Sequence, residues 1–302
     1  MRMSARAEVI TSPAPARVRA ESRVWPILRR LRKNRGATAG GVLLLILALM
    51  ALFAPVVAPY DPVKTNYGDA LTGPSLKHPL GTDNYGRDMF SRIVYGARLS
   101  MSVGLISVAI GASLGVILGL LSGYYGRHLD NVIMRFMDAM LAFPGILLAM
   151  AIVATLGSGL TNVMIAVGIS SIPGFARLVR GSVLSAKENV YVDAARVAGC
   201  SNGRIMGLHI LPNVFAPILT YATLRVSVAI LAAASLNFLG LGAQPPTPEW
   251  GVMLADGRDY IRQYWWLATV PGLAIMLTTL SINMFSDGLR DALDPRLKQR
   301  ER

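Results

Sequence analysis

Residues 191–213 read YVDAARVAGCSNGRIMGLHILPN, a polar and basic island with long apolar runs on both sides. No other internal stretch of that length reads as a soluble helical hairpin within an otherwise membrane-like chain. Val190, Ala194, Val197 and Ala198 recur at helical spacing, and Gly199 stands where a helix ends on a residue that tolerates positive φ. Ser201 is placed to cap a second short helix, and Pro212, which cannot continue that helix, is expected to close the unit. The small residues Ala194, Ala195, Ala198 and Gly199 leave a low surface that another protein can approach closely. The hairpin, bounded at 186–213, has the shape of a docking element.

Outward from the hairpin the chain is built for a bilayer. Of 302 residues, 53% are apolar and only 16% charged, and the apolar residues come in blocks, which points to an all-α polytopic membrane protein. Six runs are read as spans: 41–58, 99–121, 141–156 with a kink or opening at Pro144, 160–175, 214–239 and 267–285. Of the 30 Lys and Arg, 22 fall on segments assigned inside and seven outside, and Arg225 lies within the fifth span. That bias puts both termini in the cytoplasm. It also accounts for the net charge of +13 without a nucleic-acid partner. The organisation expected is a basic cytoplasmic tail at 1–36, then a first span and an extracytoplasmic segment at 37–98. A five-helix core follows at 99–286, and a second cytoplasmic tail at 287–302.

Three local features complete this reading. Asp88 and Arg92 are spaced as an i,i+4 pair, and Phe90, Ile93, Val94 and Ala97 form an apolar stripe, so an amphipathic helix lying at the outer membrane surface is expected. Gly111, Gly115, Gly119 and Gly123 recur at four-residue steps, a small-residue ridge suited to close helix packing. Trp265 and Trp266 are expected at the membrane interface.

The chemistry that is missing narrows the function. No lysine follows a glycine, so there is no P-loop to hold ATP phosphates. The six apolar cores contain no Asp or Glu, which removes the usual proton or ion relay of a secondary transporter and leaves that class as the rival reading. There is no HExxH and no pair of membrane-depth aspartates for an intramembrane enzyme. Cys200 is the single cysteine, and His78, His128 and His209 are far apart in sequence, so no metal site and no cofactor of the chain's own are expected. What remains is a pathway former driven by a partner, with the hairpin as its handle. Arg225, the one charge deep in a span, is a candidate pathway residue that would attract a peptide carboxylate.

The hairpin resembles the EAA loop of ABC importer permeases, whose pattern is filled here by Asp193, Ala194, Ala195, Gly199, Leu211 and Pro212. Asp193 replaces the usual Glu, and His209 stands at a usually apolar position. His78 to Ser100, Phe238 to Gly251 and Asp287 to Lys298 are similar to segments of the dipeptide, oligopeptide and nickel branch of that family. The resemblance implies the ABC importer permease fold in a bacterial inner membrane. It implies a sister permease, two ATP-binding subunits that hold ATP and Mg, and an extracytoplasmic binding protein. It favours short peptides as cargo, with glutathione or nickel as alternatives, and it makes the six hairpin residues the ATPase-coupling site.

Overall fold

The computed structural model describes residues 29, 31, 32 and 34–293. Most of the basic tail, and the stretch 294–302 of the second tail, lie outside the described residues. The described chain carries nine helices of eight or more residues. They are α1 Arg35–Leu52, α2 Met89–Tyr125, α3 Arg127–Leu141, α4 Gly145–Leu156 and α5 Leu160–Lys187, followed by α6 Val190–Val197, α7 Leu211–Phe238, α8 Trp250–Gly257 and α9 Trp266–Leu293.

Five helices are long and apolar enough to cross a membrane, and α3 and α4 make a sixth crossing only as a pair bent by 91°. The third span is therefore not the single helix 141–156 of the sequence reading. Pro144 has no N–H to continue a helix, and twelve residues of α4 extend only about 18 Å, well short of a ~30 Å hydrocarbon core. The polar, amphipathic α3 supplies the missing length on the inner side. Other spans also run past their apolar cores: α2 begins at Met89, α5 continues to Lys187, and α9 continues to Leu293, into the stretch assigned to the second tail.

The early start of α2 corrects the expectation of a separate surface helix. Asp88 is its N-cap, its Oδ2 accepting from the Ser91 N–H at 2.8 Å, and Phe90, Ile93, Val94 and Ala97 are simply the first turns of the span. The Asp88–Arg92 pair does not form. Asp88 instead accepts from His78 Nδ1 at 2.8 Å, while Arg92 Nη1 donates to the carbonyls of Pro62 and Pro246 at 2.9 and 3.2 Å.

The glycine ridge does what its spacing predicts. A Cβ added at Gly115 would lie 2.8 Å from the Ile172 carbonyl oxygen, and one at Gly119 2.5 Å from that of Ala176, so α2 and α5 touch backbone to backbone. Around this pair pack α4 and α7, and α9 packs between α7 and α1. Asn34 Nδ2 donates to Asp291 Oδ2 at 3.4 Å, and Gly288 sits against Ala37. The start of α1 and the end of α9 thus share one face, as an even number of crossings requires. Asn213 and Pro217 of α7 line a cavity with Arg290 and Leu293 of α9, so the hairpin is on that same inner face.

At the outer face, residues 59–88 and the loop carrying α8 close over the bundle. His78, Asp83, Arg87, Asp88 and Arg92 are all buried there. Arg87 Nε donates to Asp83 Oδ2 at 2.6 Å. Glu249 caps α8, accepting from the Val252 N–H at 3.0 Å and from Ser100 Oγ at 2.8 Å. Burial pushes the Glu249 carboxyl above its ordinary pKa, and these hydrogen bonds oppose the shift. Trp250 donates to the Ile93 carbonyl and Trp266 to that of Thr82, both at 3.1 Å. Only Trp265 is exposed as an interfacial residue would be; Trp266 is buried beneath Gly81 because its indole N–H has a carbonyl to reach.

Candidate coupling site

The hairpin begins where α5 ends. Asn189 Nδ2 donates to the carbonyls of Ser185 and Ala186 at 3.1 and 3.0 Å, tying off the last turn of α5 before α6 starts. At the other end of α6, Gly199 has φ +76°, its N–H reaches the Arg196 carbonyl, and the Cys200 N–H reaches that of Ala195. These paired bonds are a Schellman motif, which needs a left-handed residue at that position and explains the glycine. Ser201 occupies the N-cap position of the next helical segment, but its side chain makes no capping bond.

Pro212 does not close the unit. Helical turns run without interruption from Asn202 through α7 to Phe238, 37 residues or roughly 55 Å. The segment Ile205–Ile210 is a π-helix, and the Leu211 N–H bonds back to the Met206 carbonyl, five residues earlier. The widened turn lets a residue without an N–H enter the first turn of α7, where its lack of a donor is tolerated. Asn213 Nδ2 adds a bond to the His209 carbonyl at 2.7 Å. The second arm of the hairpin and the fifth span are one rod.

The six predicted coupling residues divide between two faces. Asp193, Ala194, Gly199 and Pro212 are exposed, whereas Ala195 is buried and Leu211 half-buried, both against a core of Val192, Ile205, Ile210 and Val214. Asp193 pairs with Arg196 at 3.0 Å on the surface. The periodic apolar stripe turns out to face away from that core: Val190 is 82% and Val197 90% exposed, and Ala194 and Ala198 are exposed with them. Gly203 and Gly207 continue the open surface from Gly199, since an added Cβ at any of the three meets nothing within 4 Å. Sequence reading missed these two glycines, although their four-residue steps from Gly199 were the available signal. Tyr124 of α2 braces the hairpin through its hydroxyl, 2.8 Å from Asn202 Oδ1.

The inner ends of the spans beside it are clasped by charge. Arg180 of α5 makes two bonds to the Asp130 carboxylate of α3, one of 2.6 Å, and the Ser122 hydroxyl of α2 donates to the same group. A cavity of about 480 Å³ opens between α5, α7 and α9, lined by Asn213, Thr220, Tyr221 and Arg290. Arg225 lies one helical turn beyond Tyr221, its guanidinium 5.9 Å from the ring centroid and its Nε buried with no hydrogen-bond partner. It is thus apart from the hairpin and stands next to Leu224, at the deep end of that cavity.

The bundle resembles solved transporters. The MetNI methionine ABC transporter in an inward-facing form aligns with TM-score 0.56 at 17% identity over 68% of this chain and 98% of that chain. An amino acid ABC transporter aligns with TM-score 0.52 at 15% identity over 67% and 94%. At the sequence level the chain is 51% identical to the dipeptide transport system permease protein DppC of Alkalihalophilus pseudofirmus, over 89% of each. It is 51% identical to the di/tripeptide transport system permease protein DppC of Pseudomonas aeruginosa over 88% of this chain and 89% of the relative. It is 49% identical to the glutathione transport system permease protein GsiD of Escherichia coli, over 89% of each. Residues 23–74 match the N-terminal transmembrane domain of oligopeptide transport permease C. Residues 115–299, which contain the whole hairpin and the rod it feeds, match the binding-protein-dependent transport system inner membrane component, and with that match the chain belongs to the family of inner-membrane permeases of bacterial ABC importers.

Proposed function

We propose that this chain forms half of a translocation pathway for short peptides, together with a sister permease, and that two separate ATP-binding subunits drive it through the 186–213 hairpin. ATP and Mg are held by those subunits, and an extracytoplasmic binding protein delivers the cargo. The observation that carries the reading is the apolar stripe of α6. Val190 and Val197 are left open to the cytoplasm on a helix whose other face is fully packed. An apolar face displayed beside small residues is a surface that needs a protein partner. The uninterrupted rod from Asn202 to Phe238 supplies the means for a push on the hairpin to reach the fifth span.

The docking face consists of Asp193, Ala194 and Gly199, with Val190 and Val197 added by their exposure. Ala195, Leu211 and Pro212 act from behind it, the first two by packing and the third by shaping the junction. Val197→Asp tests the assignment. ATP hydrolysis by the purified assembly should lose its dependence on cargo-loaded binding protein, with uptake falling at least about tenfold, the equivalent of 1.4 kcal/mol of lost contact. Normal coupling in this variant would overturn it.

Cargo follows from the relatives named for dipeptides, di/tripeptides and glutathione, which share a short peptide backbone with a free carboxylate. Arg225 is the residue proposed to meet that carboxylate, since its guanidinium stands beyond the inner cavity with an unpaired Nε. Uptake should fall in Arg225→Met and be largely kept in Arg225→Lys. Equal uptake in both, with normal assembly, removes Arg225 from the pathway.

A further inference from the structure

We propose that the cytoplasmic end of α1 is a binding site for an anionic phospholipid of the inner leaflet. α1 packs on α9 and α2 and leaves its remaining surface open, with Val42 51% and Ile46 49% exposed. A groove of about 570 Å³ runs along this open side. Arg32, Arg35 and Thr38 line one end, and Val42, Leu43 and Ile46 the other. Cations therefore sit where α1 leaves the membrane on the inside, and apolar side chains continue from them into hydrocarbon depth.

Among the described residues no carboxylate pairs with the charges at this end, Asp291 being bonded to Asn34. Arg32 and Arg35 are exposed, and among the described residues neither makes an ion pair. Arg35 is the first residue of α1, whose first turn has no acidic side chain, so it adds to the positive end of the helix dipole instead of offsetting it. The sequence places Arg29, Arg30 and Lys33 alongside, five cations within seven residues directly cytoplasmic of a span. Thr38 Oγ1 is turned to the Asn34 carbonyl at 3.0 Å, which leaves the guanidinium groups to receive a phosphate. A free phosphate would use the cations alone. A phospholipid uses both halves, its headgroup on Arg32 and Arg35 and an acyl chain against Val42, Leu43 and Ile46. Basic clusters in this position attract anionic headgroups with a gain of about fivefold in binding per charge.

The test is native mass spectrometry on the protein purified with its co-purifying subunits, after addition of phosphatidylglycerol or phosphatidylcholine. Wild type should retain phosphatidylglycerol preferentially. Arg32→Gln with Arg35→Gln should weaken that retention about 25-fold, and Arg32→Lys with Arg35→Lys should keep it. Ile46→Asn, which spares both cations, should also weaken it. Arg258→Gln with Arg262→Gln in the outer loop should leave it unchanged, and each variant should unfold at the wild-type temperature. The proposal is overturned by unchanged retention in the double Gln variant, by equal retention of phosphatidylcholine, or by displacement with inorganic phosphate alone. It is equally overturned if Ile46→Cys cross-links efficiently to another subunit in membranes, because the groove would then be covered by protein.

Discussion

The two polar ends of this molecule handle their charge and apolar surface in opposite ways. At the outer end, His78, Asp83, Arg87, Asp88, Arg92 and Glu249 are turned inward, buried and bonded to one another or to carbonyls. At the inner end, Asp193 and Arg196 pair in solvent, and valines stand open beside glycines that touch nothing. A closed ionic network is costly to disturb, since each removed partner strands a buried charge. An open face is cheap to change in the chain itself, and its cost appears only when a partner is present. The outer end is therefore built to hold one shape, and the inner end to be completed by another protein.

The sharpest way to break that contrast is Asp88→Leu. It leaves the His78 ring and the Ser91 hydroxyl without their shared acceptor, and thermal unfolding of the purified assembly should show a loss of about 3–5 kcal/mol. A loss no greater than that of a surface change would mean that the outer network is ornamental. Trp266→Ala should cost about 3 kcal/mol in the same assay through the emptied space below Gly81.

Glu249 sharpens the comparison through pH. Its folded pKa is raised by burial, so its contribution to stability is fully present below the ordinary glutamate value and is lost as pH rises through the raised one. Glu249→Gln should flatten that part of the stability–pH curve and raise stability relative to wild type on the alkaline side. An unchanged curve would show that the carboxylate is solvated after all. At the inner end Gly203→Ala should stay within about 0.5 kcal/mol, because its Cβ enters open space. A larger loss there would place the hairpin's second arm in the same class as the outer network.

Much of this was legible in sequence because the signal was local. The apolar runs marked the spans, the four-step glycines marked a close contact, and Gly199 marked a left-handed helix end. What was illegible depended on distant partners. α5 was read as ending at Phe175 because Arg177 and Arg180 follow, yet the helix continues, with Asp138 and Asp130 of α3 receiving those guanidinium groups. The stretch from Asp88 to Ala97 read as a separate surface helix because nothing local says that Arg92 will find carbonyls at Pro62 and Pro246. Pro212 read as a stop because one-dimensional rules do not anticipate a π-turn that makes room for it. At the candidate site, the residue types and their order were visible, but the side of α6 that would face outward was not.

The glycine seam between α2 and α5 has a mechanical consequence. A one-residue slip along it would bring Ala112, Val116, Leu120 and Tyr124 to positions now held by Gly111, Gly115, Gly119 and Gly123, where a lone Cβ already meets backbone or β-carbon atoms at 3.0 Å or less. No low-energy register lies next to the one observed. The two helices therefore have no internal degree of freedom and form a keel. Relative motion in this chain is left to the joints around it, of which the 91° bend between α3 and α4 is the sharpest.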